Sequence, residues 1–97
     1  MAILVERRLR MIGRRLAELR IEIAVADEQS AHFDDETDEA RLRSLMSETP
    51  LAQAEHREAE RHSTAMTRHR SDLLASIQRL EAEQDELLDK LMARRRA

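Results

Sequence analysis

Cysteine, tryptophan and tyrosine are absent from this 97-residue chain, and glycine, proline and phenylalanine occur once each, as Gly13, Pro50 and Phe33. Each shortage excludes something. Without cysteine there is neither a disulfide framework nor a thiolate metal site. A single glycine rules out a glycine-rich phosphate loop. So few turn formers and aromatics leave little material for a sheet or a compact mixed core. No apolar run approaches the roughly 20 residues that span a bilayer. The apolar patch Ala2 to Val5 is followed at once by Glu6-Arg7-Arg8, the reverse of the order in a secretory signal. The reading is a cytoplasmic protein, and the preference for arginine over lysine (Lys90 is the only lysine) points to a GC-rich bacterial genome.

What remains is charge and periodicity. Asp, Glu, Lys and Arg make up 38% of the chain and hydrophobic residues 41%, a balance typical of long helices. From Leu9 the series Ile12, Leu16, Leu19, Ile23, Ala26, Ser30, Phe33, Thr37 and Ala40 advances by three and four without a break. That is the a/d seam of a coiled coil. Leu42, Leu45 and Met46 fall outside it. After Pro50, a second seam alternates Ala52, Ala59, Met66, Leu73, Leu80 and Leu87 with His56, Ser63, Arg70, Ile77, Gln84 and Leu91. Both seams are apolar near the chain termini and more polar toward the middle.

Pro50 separates two segments of nearly equal length. Proline breaks a helix interior but suits its first position, with Thr49 before it as N-cap. The prediction is an all-α, antiparallel two-helix coiled-coil hairpin forming a single domain. Helix 1 covers about 2–46, the turn 47–50 and helix 2 about 50–95. Seven carboxylates and no Lys or Arg between residues 27 and 40 make 28–38 the least secure stretch of helix 1, read as continuous helix with a kink or short loop as the alternative.

Charge orients the pairing. Residues 1–20 hold six Arg and two Glu, whereas 71–93 hold six carboxylates against Arg79 and Lys90. The acidic stretch 27–40 has its counterpart in 56–70, which carries Arg57, Arg61, Arg68 and Arg70 against Glu58 and Glu60. Folding back at Pro50 sets residue i near residue 97 − i and opposite charges side by side; a parallel pairing would stack like on like.

One hairpin seam seldom stabilises a domain alone. Leu4, Met11, Ile21 and Val25 on helix 1, with Leu74, Leu88 and Met92 on helix 2, lie off the seam and read as a second apolar stripe. Such a stripe marks an interface: a homodimer completing a four-helix bundle at the terminal end, or a different protein partner. The acidic face Asp34, Asp35, Glu36, Asp38 and Glu39 is a second candidate surface, with a solvated face neutralised by the opposing arginines as its simpler explanation.

Other chemistries find less support. His62, Met66 and His69 share a helix face, with His32 near the same level, yet no Glu-x-x-His or His-Glu-x-x-His pattern occurs, so no metal or other cofactor is expected. Arg7-Arg8, Arg14-Arg15 and Arg94-Arg95-Arg96 gather near the termini, but the net charge of −3 and the lack of stacking aromatics argue against nucleic acid. Carboxylates and histidines on a solvated rod lack the desolvation that tunes acid–base catalysts, so neither an enzyme nor a small-molecule site is expected.

The sequence therefore predicts a non-catalytic coiled-coil protein-interaction module, an adaptor or small regulator working by helix-on-helix docking. The alternative is a transcription or translation regulator that binds RNA polymerase or the ribosome through its charged hairpin. In outline the hairpin resembles those that bacterial Gre-type and DksA-type transcription factors insert into RNA polymerase. Those families carry acidic residues at the tip and a further globular or zinc-binding domain. Here the tip offers only Glu48 and there is no cysteine, so the likeness is one of architecture.

Overall fold

Residues 2–96 are described by a computed structural model. They form two helices, α1 (Ala2–Ser47) and α2 (Pro50–Arg96), folded into an all-α hairpin.

The turn between them needs only two residues, because three local devices coincide. Glu48 adopts φ = 50°, the left-handed conformation that reverses the chain after a helix, and its amide donates to the Ser44 carbonyl at 3.2 Å. This is an αL C-cap in which glutamate occupies the place usually given to glycine. Thr49 precedes proline and is thereby driven to extended backbone, which is what an N-cap requires. Its hydroxyl accepts from the Ala52 amide at 3.1 Å, and its carbonyl accepts from the Gln53 amide at 3.0 Å to begin α2. Pro50, with no amide proton to leave unpaired, fills the first helical position.

Tertiary packing follows the two seams. The fully buried residues are Ile12, Leu16, Leu19, Ala26 and Ala40 on α1 and Ala52, Leu73 and Ile77 on α2. Half-buried residues between them, among them Leu9, Ile23, Phe33, Met66, Leu80, Leu87 and Leu91, continue the same steps of three and four. Leu42, Leu45 and Met46 are exposed, Met46 at 85%, as their position off the seam predicts.

The chain divides into two compact units. The terminal unit combines α1 through Ile23 with α2 from Leu73 onward. Its buried residues are large aliphatics (Ile12, Leu16, Leu19, Leu73 and Ile77), each stabilising by about 1.5–3 kcal/mol when fully withdrawn from water.

The turn unit, Ala24–Asp72, is built differently. Its fully buried side chains are alanines: Ala26, Ala40 and Ala52. Small side chains let helices approach closely, and here the Thr37 hydroxyl lies 2.9 Å from its own Phe33 carbonyl and 3.1 Å from the Ala59 carbonyl on α2. Ser63 donates across the seam to Asp34 at 2.6 Å, and Arg70 donates to Asp27. The pairs 37/59, 34/63 and 27/70 sum to 96 or 97, the register inferred from charge.

Helix α1 is unbroken through 28–38, so no kink or loop forms there. Like charges four residues apart, such as Asp34/Asp38 and Asp35/Glu39, cost only about 0.2–0.5 kcal/mol each when solvated. The cross-helix hydrogen bonds of Asp27, Asp34 and Thr37 meanwhile hold this stretch against α2.

Two predictions follow from the packing and the turn. Leu16→Ala should lower stability by about 2–5 kcal/mol, whereas Leu42→Ala should change it by no more than about 0.5 kcal/mol, as read from urea midpoints. Glu48→Gly should raise the midpoint by the equivalent of about 1 kcal/mol through relief of left-handed strain, and Thr49→Ala should lower it by about 1 kcal/mol. A destabilised Glu48→Gly variant would contradict the cap assignment.

Candidate functional site

The seam defines two flanks along the terminal unit. Arg8 and Glu83 each sit immediately before a seam residue, Leu9 and Gln84. Two hydrogen bonds join them across the hairpin: Arg8 Nε to Glu83 Oε2 at 2.6 Å and Arg8 Nη2 to Glu83 Oε1 at 2.7 Å. Arg15, Glu22, Ser76 and Lys90 repeat the same heptad position and share this flank. Residues that follow seam positions Val5, Ile12 and Leu19 (Glu6, Gly13 and Arg20) share the opposite flank with those that follow Leu73, Leu80 and Leu87 (Leu74, Glu81 and Leu88).

All seven apolar candidates are exposed: Leu4, Met11, Ile21, Val25, Leu74, Leu88 and Met92. They do not compose one stripe. Leu4 and Met11 stand four and three residues from Arg8 along α1, on the Arg8 flank. Leu74, Leu88 and Met92 lie on the Gly13 flank of α2. Ile21 points away from the seam, and Val25, one turn further along α1, belongs to the turn unit. The sequence shows which residues leave the seam but not which side each takes, because that depends on how the second helix is laid against the first. Ile3, at 67% exposure, was not singled out from the sequence, although its spacing of nine from Ile12 also places it off the seam.

The acidic face is present on the turn unit. Asp34, Asp35, Glu36, Asp38 and Glu39 are all exposed, and neutralisation by opposing arginines is narrower than expected. Among the described residues, the ion pairs joining α1 to α2 in this unit are Asp27–Arg70 and Arg43–Glu55, the latter at 4.0 Å. Asp34 is held by Ser63, and Glu36 lies 3.0 Å from His32 on its own helix. Arg57, Arg61 and Arg68 instead line an open groove on α2 with Glu60, Thr64 and Ala65.

His32, His56 and His62 take part in packing and local pairing. The Phe33 ring meets His62 edge-on at 5.7 Å and His32 at 5.8 Å. His56 lies 2.9 Å from Glu60 and His62 lies 4.0 Å from Glu58. Among the described residues no three His, Asp or Glu side chains converge in a way that could hold a metal ion. No described helix is long and apolar enough to cross a membrane. The surface depressions are open grooves; one, lined by Phe33, His62, Ala65 and Met66, is chiefly apolar.

Compared with known proteins, the chain matches no protein-family model, no curated protein and no solved structure.

The Arg8–Glu83 bridge perturbs both of its members. Hydrogen bonding, then charge attraction, raises the Arg8 guanidinium above its usual value. Hydrogen bonding from Arg8 is the main cause holding the Glu83 carboxyl below the ordinary carboxylate range, against a smaller opposing effect of desolvation. A carboxyl depressed in the folded state stabilises above its unfolded pKa, and that contribution disappears as pH falls through the folded value. Glu83→Gln should therefore melt below the wild type at neutral pH. The gap should close on acidification below the ordinary carboxylate range and narrow in high salt. A gap independent of pH would show that the bridge contributes nothing.

Proposed function

We propose that this protein is a non-catalytic interaction module, an adaptor or small regulator, whose hairpin docks against other helices through the side chains its own seam leaves uncovered. One observation supports this above the others. Among the described residues, twelve large hydrophobic residues are exposed, including Ile3, Leu4, Met11, Ile21, Leu74 and Leu88, against eight hydrophobic residues buried. Isolated exposed leucines are ordinary; a domain that leaves more large apolar side chains in water than it buries is prepared for a further layer. A second helix pair supplies such a layer most directly, since ridges of side chains pack into the grooves between them. The second copy and a heterologous helix are both partners of this chemistry, with the surrounding charge selecting orientation more than affinity.

A second reading, a regulator bound to RNA polymerase or the ribosome, is favoured by one feature. Asp35, Asp38 and Glu39 form no ion pair among the described residues, so the acidic face is open to a basic surface.

Crosslinked capture from native lysate, comparing the wild type with Leu4→Glu/Met11→Glu, Leu74→Glu/Leu88→Glu and Asp35→Lys/Asp38→Lys/Glu39→Lys, tests both readings. Docking through apolar side chains predicts that at least one leucine variant loses the retained species, whether that species is the chain itself or a partner. Loss of polymerase or ribosome only in the lysine variant would establish the second reading. Retention of the same species by every variant would overturn both.

A further inference from the structure

We infer that the Gly13 flank of the terminal unit is the surface on which a second copy of this chain packs, giving a two-fold four-helix bundle in which α1 of each copy lies along α2 of the other. The inference rests on the helix-docking function proposed above and identifies its partner and face.

The two flanks of the unit are not equivalent. On the Arg8 flank, the bidentate Arg8–Glu83 bridge spans the seam, and Arg15 lies near Glu18 and Glu22 at 3.0 and 3.9 Å. Arg8, Glu83, Arg15, Glu18 and Glu22 are thus paired within the chain, leaving Lys90 without an ion pair among the described residues, and a polar bridge spans the groove between the helices. On the Gly13 flank, no ion pair joins the helices among the described residues of this unit. Leu74 and Leu88, at 39% and 42% exposure, and Met92 project from α2 there. On α1 the same flank carries Gly13 and, one turn on, Ala17. A Cβ added at Gly13 would meet nothing within 4 Å, so the hairpin's own packing does not require glycine. Glycine within a helix nevertheless costs about 1 kcal/mol relative to alanine, and its distinctive use is to let another backbone approach.

The two halves of this flank complement each other. One side presents leucine and methionine projections with Glu81 and Asp85; the other presents a small-residue groove with Arg10 and Arg20 at its ends. All four charged residues lack an ion-pair partner among the described residues. Glu81 and Asp85 are four apart on one helix and repel each other when unpaired. A two-fold axis running along the hairpin places α1 of one copy antiparallel to α2 of the other. Carried from the turn unit along the unbroken heptads of both seams, the 97 − i relation sets Arg10 opposite position 87 and Arg20 opposite position 77 of the second copy; the long Arg8 side chain reaches across this register to Glu83. Asp85 is two residues away from the first and Glu81 four from the second, about 3 and 6 Å along a helix and within reach of an arginine. Because the operation is isologous, both contacts occur twice.

Sedimentation equilibrium of the full-length chain, with circular dichroism as the check on folding, tests this. The wild type should be a dimer. Leu74→Glu/Leu88→Glu should raise the dimer dissociation constant by about tenfold or more with helicity retained at concentrations where the wild type is also dissociated. Leu4→Glu/Met11→Glu, on the other flank, should leave it unchanged. Arg10→Asp should weaken the dimer, and adding Asp85→Arg should restore it, an outcome that a general loss of folding cannot produce. A dimer that ignores Leu74 and Leu88 but dissociates on substitution of Leu4 and Met11 would overturn the assignment of the face. A wild-type monomer that still captures another protein through its apolar side chains would overturn self-pairing and leave the docking function intact, whereas a monomer that captures nothing would remove both.

Discussion

A hairpin of two helices has one seam in which to bury apolar side chains, and the rest of this structure is a consequence of that restriction. With no second layer, every large hydrophobic residue off the a/d positions among the described residues is left in water. The chain distributes its burial unevenly along the seam. Ile12, Leu16, Leu19, Leu73 and Ile77 concentrate aliphatic burial in the terminal unit. The turn unit relies on buried alanines and on polar groups that reach across a narrow gap, Thr37 to Ala59, Ser63 to Asp34 and Arg70 to Asp27. Apolar burial is the larger stabilising contribution, at about 25 cal/mol per Å², whereas each of those polar contacts adds about 1 kcal/mol or less.

The turn shows how few residues are needed to set topology when their local preferences agree. Glu48 reverses the chain, Thr49 is made extended by the proline that follows and caps α2 with its hydroxyl, and Pro50 opens the helix. Only Glu48 goes against its own preference. It meets the strain of a left-handed residue because the chain must turn within two residues for the seams to face each other.

Charge does less for stability than its abundance suggests and more for direction. Opposite blocks lie on facing helices as the antiparallel arrangement demands, yet close ion pairs between α1 and α2 are few among the described residues: Arg8–Glu83, Asp27–Arg70 and the longer Arg43–Glu55. Most carboxylates between Glu28 and Glu39 project to sides of α1 that α2 does not cover. They remain solvated, which is why their mutual repulsion is too weak to break the helix. The same geometry leaves Asp35, Asp38 and Glu39 open on one helix and Arg57, Arg61 and Arg68 on the other.

From residue order alone came the helix type, the hairpin turn, the antiparallel sense and the seam residues, because each depends on local rules: the 3.6-residue period, proline's missing amide and the matching of charge blocks. Whether α1 continues through its acidic stretch, the reading preferred from the sequence, or kinks there was not decided by residue order alone, since the hydrogen bonds from Thr37 and to Asp27 and Asp34 that hold the stretch against α2 exist only once α2 is in place. Nor was the sidedness of the candidate surface. Leu4 and Leu74 leave their seams in ways that look alike in one dimension, yet they lie on opposite flanks, because the flank to which a heptad position belongs is defined by the partner helix. Periodicity determines what a helix can bury; only the packed pair decides which of the remaining side chains share a face.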